Sequence, residues 1–221
     1  MQEEEISKKF NINLDKLKEE QIKLAKELEI KNILNLEKIN TIAAFENIIV
    51  RNQIISAVIV CDKSFEVIEE QFYFGKLNFP YLSEFRSYRE LPSMLEAYKK
   101  LQNKPDIVLI SGNGIAHPRL GIASHFSLAA ELIPSIGIAD SPFDGNTVNS
   151  GEIINLEGKK VGRILNSKEK SNPLFISPGN KISVEAAYDF CKSLIVLPHK
   201  HPEPLHLAHK YAKSVKKELG I

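Results

Sequence analysis

Four side chains in this chain have the type and setting for acid–base or metal chemistry: Glu46, Glu90, Asp140 and His209. Glu46 follows Ala43-Ala44-Phe45 in an apolar stretch, where an isolated carboxylate is costly unless it is paired or holds a metal. Glu90, in Tyr88-Arg89-Glu90-Leu91, lies early in a predicted helix and is open to a plainer reading as a first-turn carboxylate. Asp140 stands at the carboxyl end of an apolar run. His209 sits at the edge of a helical stripe, from which it either reaches into a cleft or packs. Among them lies Ser111-Gly112-Asn113-Gly114-Ile115-Ala116-His117-Pro118-Arg119, preceded by the β-branched run Ile107-Val108-Leu109-Ile110. Ligands bind off the carboxyl ends of strands in open α/β sheets, and glycines there let a backbone come close. The same Gly-x-Gly is also the form of a tight strand-to-helix turn, and alone it does not choose between the two.

The elements that must carry these groups follow from the periodicity. Leu14, Leu17, Gln21, Leu24 and Leu28 recur at helical spacing and predict an amphipathic packing helix over 14–31. Residues 39–49, 54–60 and 65–74 read as strands, the last two joined at Asp62-Lys63-Ser64 as an antiparallel hairpin. A Pro-bearing aromatic loop, Phe79-Pro80-Tyr81-Leu82, leads into a helix over 83–102. The strand 107–110 is followed by a helical stretch from Leu120 to Ile133 and an apolar strand over 134–139. A meander covers 152–166 and 173–177, punctuated by Gly151, Gly158 and Pro173. Helices follow from near Ser183, with Glu185 as a first-turn acid, and over 203–218, with Leu205, Ala208, Ala212, Val215 and Leu219 as the inner stripe. This order predicts an α/β fold: a mixed sheet of the ribonuclease H type flanked by helices in three layers. A flavodoxin-like sheet is the competing topology.

At 221 residues the chain is read as one domain over 1–221, with the packing-helix region at 1–31 and a basic meander and helices at 151–221. No apolar run approaches the roughly 20 residues that span a bilayer. The start, Met1-Gln2-Glu3-Glu4-Glu5, lacks the basic-then-apolar order of a secretion signal. Cys61 and Cys191 lie in apolar surroundings without metal-ligand spacing, as buried free thiols of a reducing, cytoplasmic compartment. The net charge is +1, unevenly spread: residues 1–158 hold 17 Lys/Arg against 23 Asp/Glu, and residues 159–221 hold 12 against 5. A basic carboxyl third suits a polyanion, with Lys159, Lys160, Arg163 and Lys168 foremost, and equally suits solvated helix faces.

Several co-linear blocks resemble the endonuclease V family: Phe79-Pro80-Tyr81-Leu82, Tyr88-Arg89-Glu90-Leu91-Pro92, Gly112 to His125, Ile133 to Ala139, Ser177-Pro178-Gly179, and Pro202-Glu203-Pro204 followed by Leu207-Ala208-His209. The resemblance runs from about Gln21 to the carboxyl end. It implies the ribonuclease H-like fold and a Mg²⁺-dependent endonuclease (Mn²⁺ substituting) that recognises deaminated bases, hypoxanthine in DNA and inosine in RNA, and cuts the second phosphodiester bond 3′ of the lesion in DNA repair. It makes Tyr81 a wedge filling the gap left by a flipped nucleotide, beside a Gly112–Gly114 recognition loop.

The chain departs from the family's metal set. Glu90 and His209 match. Glu46 stands where an aspartate ends the first strand, Ser111 where an aspartate precedes Gly-x-Gly, and Asp140 where a lysine ends the next strand. Asn180 and Ser83 replace a common histidine and proline. Three readings follow: a working endonuclease with a rearranged metal site, a family member that binds deaminated nucleic acid without cutting, and a pocket recruited for a small phosphate-bearing ligand. In the first, the lost carboxylate has moved one strand over, so that Glu46, Glu90 and Asp140 ring one Mg²⁺ beside His209. That arrangement requires all three carboxylates in one cleft, with Asp140 neither facing solvent nor held by a distant basic residue.

Overall fold

The computed structural model describes residues 3–32 and 35–221, so Met1 and Gln2 of the acidic start lie outside the described residues. In chain order the elements are α1 (Glu3–Phe10), α2 (Leu14–Ala25), β1 (Thr41–Val50), β2 (Gln53–Asp62), β3 (Val67–Lys76), α3 (Arg86–Lys99), β4 (Ile107–Ser111), α4 (Ile122–Ala129), β5 (Ser135–Ala139), β6 (Thr147–Asn149), β7 (Glu152–Ile154), β8 (Lys160–Leu165), β9 (Leu174–Asn180), α5 (Val184–Ser193) and α6 (Glu203–Glu218).

Among the described residues the strands form one sheet in the order β3-β2-β1-β4-β5-β9-β8-β7-β6. β1, β4 and β5 run parallel at its centre, and β2 and β9 flank them antiparallel. This is the mixed, three-layer arrangement expected from the order of elements. Strand side chains alternate between the two faces. Ile42 and Ala44 therefore join Ile107, Leu109, Ile136 and Ile138 in a core shared with α5 and α6. Ala43 and Phe45 join Val108 and Ile110 in the opposite core, under Met94 of α3 and Phe126 of α4. Phe45 and Phe126 meet there with ring centroids 4.9 Å apart, and each fully buried ring contributes about 2–3 kcal/mol.

The boundaries shift where side chains capture the backbone. α2 stops at Ala25 rather than running to 31, because the next stretch docks on the end of β9. There Asn180 Oδ1 accepts the Glu29 N–H at 2.8 Å, and Glu29 O accepts the Lys181 N–H at 2.8 Å. Gln21, buried on α2, donates to Glu84 O and accepts from Arg119 Nε, so the packing helix also props the loop before α3. α4 is shorter than the apolar run because Glu131 and Leu132 take left-handed backbone angles. Leu219 is exposed and lies outside the inner stripe of α6. The hairpin turn forms on Asp62, whose Oδ1 accepts from the Ser64 and Glu66 N–H groups.

α5 begins where Ser183 Oγ accepts the Ala186 N–H at 3.2 Å. Ser183→Ala is expected to cost about 1 kcal/mol, seen as a melting temperature lower by roughly 2–4 °C.

At both glycines of the central turn the space a Cβ would need is taken by protein. A Cβ on Gly114 would stand 1.9 Å from the Pro178 carbonyl oxygen, and the Gly114 N–H already donates to Ser177 Oγ. Gly112 has φ +145°, and a Cβ there would meet Ile122 and Arg86.

Candidate functional site

Period-2 alternation places three of the singled-out positions together. Ile42, Ala44 and then Glu46 point toward α6, as do Ile107, Leu109 and then Ser111. Ile136 and Ile138 continue to Asp140, just past the end of β5. β1, β4 and β5 are parallel neighbours. Their carboxyl ends deliver Glu46, Ser111 and Asp140 to one cleft of about 160 Å³, closed from the α6 side by Leu205, His206 and His209, with His201 at its edge.

His209 Nδ1 lies 3.3 Å from Glu46 Oε1. A carboxylate only accepts, so Nδ1 carries the proton in this contact. Asp140 is 59% exposed at its side chain and is held by two residues about sixty positions away: Lys200 Nζ at 2.5 Å from Oδ1 and His201 Nε2 at 3.1 Å. Partial burial acts to raise its carboxyl, but the hydrogen bond from Lys200 and the charges of His201 and Lys200 hold it below the ordinary carboxylate range. Asp140 is an anion at neutral pH.

Glu90 is elsewhere. Asn47 follows Glu46 on β1 and so points to the other face, where its Nδ2 donates to Glu90 Oε2 at 2.8 Å. Arg86 completes the set with Nε at 2.7 Å and Nη2 at 3.0 Å from the two Glu90 oxygens. The Glu90 side chain is 3% exposed and does not line the cleft. The ring of Glu46, Glu90 and Asp140 around one ion is therefore corrected: two of the three share a cleft, and the third is tied up by Arg86 and Asn47 across the sheet. The condition that Asp140 be free of distant basic residues also fails, through Lys200 and His201.

A second groove, of about 380 Å³, runs from Asp140 and Ser111 past Gly112 and Arg86 to Tyr81. Tyr81 is 65% exposed, with the Arg89 guanidinium 5.6 Å from its ring centroid. Phe79 stacks on Tyr88 instead, centroids 6.0 Å apart, so the loop is anchored by Phe79 and presents Tyr81 outward. Gly112 borders this groove; Gly114, buried against β9, does not.

The basic residues of the meander are largely occupied. Lys159 pairs with Glu157, Lys160 with Glu152 and Glu185, and Arg163 with Glu185 while lying over Tyr188. The strand register puts Arg163 level with Ile176 and Ile138, so Lys159 and Lys160 stand toward the opposite end of the sheet from Asp140. They stand away from the cleft, with their ammonium groups paired. Lys168 follows the carboxyl end of β8, on the cleft's side of the sheet, and is exposed.

Lys200, His201, His206 and Arg86 were not singled out by sequence. The signal for the first three was present: three histidines and a lysine crowd Pro198-His199-Lys200-His201-Pro202-Glu203-Pro204-Leu205-His206. The buried histidines belong to the scaffold. His117 is pushed down to about 3 by burial and by Arg119, and His125 to about 4 by burial. His117 Nδ1 accepts the Arg119 and Leu120 N–H groups, and His125 Nδ1 meets Ser87 Oγ at 3.0 Å.

Comparison with known proteins agrees with the fold. The family model for endonuclease V matches residues 22–210. The chain is 36% identical over 204 residues to an endonuclease V of Thermosipho melanesiensis, covering 89% of this chain and 88% of that one. It superposes on the crystal structure of an endonuclease V from Bacillus subtilis with TM-score 0.84 and 28% identity, covering 96% of this chain and 95% of that one. The fold is also that of the Ciona intestinalis endonuclease V crystallised with a 24-mer DNA containing an inosine followed by a ribo-adenosine: TM-score 0.84, 21% identity, 93% of this chain and 98% of that one.

Proposed function

From the premise that this chain belongs to the endonuclease V family, a family of nuclease hydrolases, we propose that it is a divalent-metal phosphodiesterase acting on nucleic acid that carries deaminated purines, and that it cuts on the 3′ side of the lesion. The observation that carries this reading is the pair of carboxylates, Glu46 and Asp140, in one cleft with His209. Mg²⁺ is commonly bound by one or two carboxylates together with substrate phosphates, and the cleft offers two carboxylates and the Ser111 hydroxyl, all hard oxygen donors. Glu46, and Asp140 once Lys200 and His201 have turned away from it, would hold the ion, which supplies an activated water and neutralises charge on the scissile phosphate. His209, its Nδ1–H anchored on Glu46, presents Nε2 to accept a proton from water at the cleft wall. Lys200, resting on Asp140, is placed to turn its ammonium toward a phosphate. Glu90 acts through Arg86, whose guanidinium lies against Gly112 at the floor of the Tyr81 groove.

Tyr81 is the wedge in this reading. An exposed ring beside the cleft can replace the stacking lost when a nucleotide leaves the helix, worth about 1–2 kcal/mol per base, so Tyr81→Ala is expected to weaken binding to an inosine-containing oligonucleotide by roughly 5- to 30-fold with the melting temperature unchanged. A fluorescence titration that returns wild-type affinity would remove Tyr81 from recognition.

Among the described residues no helix is long and apolar enough to cross a membrane. Cys61 and Cys191 are buried free thiols, Cys61 pushed up to about 12 chiefly by burial, which fits the reducing cytoplasm as the site of action.

A second reading is supported by specific observations. Ser111 supplies a hydroxyl where the family carries an aspartate, and Lys200 and His201 compete for Asp140. In this reading the chain binds deaminated nucleic acid and leaves it whole. The deciding experiment incubates the purified protein with an oligonucleotide bearing one inosine, with Mg²⁺ or Mn²⁺ and with EDTA. Metal-dependent cleavage at the second bond 3′ of inosine supports the first reading. Binding without cleavage supports the second, and no preference for inosine overturns both.

A further inference from the structure

We propose that His199, Glu203 and His206 form a second metal site, adjoining the Glu46–Asp140 cleft whose wall His206 shares, and suited to a transition-metal dication of the Zn²⁺ class. One donor atom from each of the three lies within 4.8 Å of the others. Glu203 and His206 are three apart on the first turn of α6 and share a face. His199 approaches from the preceding loop, four positions before Glu203. Its Nδ1 is 2.6 Å from Glu203 Oε2, and its ring stacks on that of His206 with centroids 3.5 Å apart.

Two imidazoles and one carboxylate select borderline cations. Imidazole suits Zn²⁺, Ni²⁺, Cu²⁺ and Fe²⁺, whereas Mg²⁺ prefers oxygen and keeps its water. Two histidines and an acid are also the protein donors of open zinc and iron sites, which leave positions for water. The His206 side is prepared for a ligand. No described residue hydrogen-bonds a ring nitrogen of His206. The ion would take the place of the proton between His199 Nδ1 and the Glu203 carboxylate, that proton passing to Nε2 or to solvent. Parallel rings point their lone pairs in parallel, so binding also tilts the two imidazoles out of their stack. His199 is 32% exposed on a loop, which leaves it room to turn.

The consequence for the neighbouring cleft is positional. Lys200 and His201, which hold Asp140, lie between His199 and Glu203 in the chain. A metal joining those two residues pins both ends of the segment that presents Lys200 and His201.

The test uses the full-length protein stripped with EDTA and dialysed. Co²⁺ is added and followed by its visible d–d absorption; Zn²⁺ is added and followed by calorimetry and by melting temperature. One equivalent bound, with the cobalt spectrum of a mixed nitrogen–oxygen site and a raised melting temperature, is the expected result. His199→Ala with His206→Ala should weaken Zn²⁺ binding by at least about a hundredfold and remove the cobalt spectrum, and the single change His206→Asn by at least about tenfold. Circular dichroism confirms that each variant folds, and the cobalt spectrum of the unaltered protein needs no variant. The proposal is overturned by the absence of stoichiometric Co²⁺ or Zn²⁺ binding. It is equally overturned if binding survives the double change but is lost in Glu46→Gln with His209→Ala, since the ion then belongs to the cleft.

Discussion

Asp140→Asn is expected to lower Mg²⁺- or Mn²⁺-dependent cleavage of an inosine-containing oligonucleotide by at least about a hundredfold, while affinity for the same oligonucleotide in EDTA stays within about twofold. The two effects separate under the proposed function, in which the carboxylate would serve the ion and the groove leading to Tyr81 the nucleic acid. Glu46 alone leaves a cation with one charged ligand, and the Ser111 hydroxyl is a weak substitute. Asparagine keeps the shape of the side chain and one acceptor for Lys200 and His201, so the fold is not strained by the change. Ser111→Asp provides the complementary arm. Its side chain projects from β4 between those of Glu46 and Asp140, and a third carboxylate there should raise cleavage by about tenfold at low metal concentration. If Asp140→Asn cleaves as well as the parent, the carboxylate has not taken over the lost ligand's place. If only Ser111→Asp cuts, the parent protein is the non-cutting binder.

How much of this was legible beforehand follows from which physics each feature rests on. The alternation of Ile42, Ala44 and Glu46, and of Ile107, Leu109 and Ser111, is local, and with neighbouring parallel strands it suffices to place Glu46, Ser111 and Asp140 on one face. The same rule, carried one residue further, sends Asn47 to the opposite face, and Glu90 with it. The helix period alone did not show which carboxylate on α3 would find Arg86 one turn away. Long-range capture is the least legible class. Nothing near Asp140 in sequence announces Lys200 and His201, and nothing in the repeating leucines of α2 announces that Asn180 will take Glu29 and end the helix early. Lys160 and Arg163 form a basic run in the sequence, but Glu185 reaches them from α5 and uses their charge within the fold.

Glu90→Gln is expected to destabilise the metal-free protein by about 2–3 kcal/mol, lowering its melting temperature by roughly 4–10 °C. Glu90 accepts a two-pronged bond from Arg86 and a third bond from Asn47, with its own side chain 3% and that of Arg86 32% exposed. Removing one partner of a buried pair leaves the other charge desolvated and unpaired, which typically costs 3–5 kcal/mol; the residual exposure of Arg86 reduces that figure. A glutamine at 90 can still accept from Asn47, but its amide nitrogen then faces the guanidinium, donor against donor. Arg86→Lys should reproduce much of the loss, because an ammonium cannot supply the parallel pair of bonds. The same measurement separates this role from metal ligation. A ligand at 90 predicts an unchanged melting temperature without metal and a weaker stabilisation by added Mn²⁺. A positioning carboxylate predicts the opposite: a lower melting temperature without metal, and the same increment on adding Mn²⁺, because Glu46 and Asp140 remain in their cleft on the other face of β1.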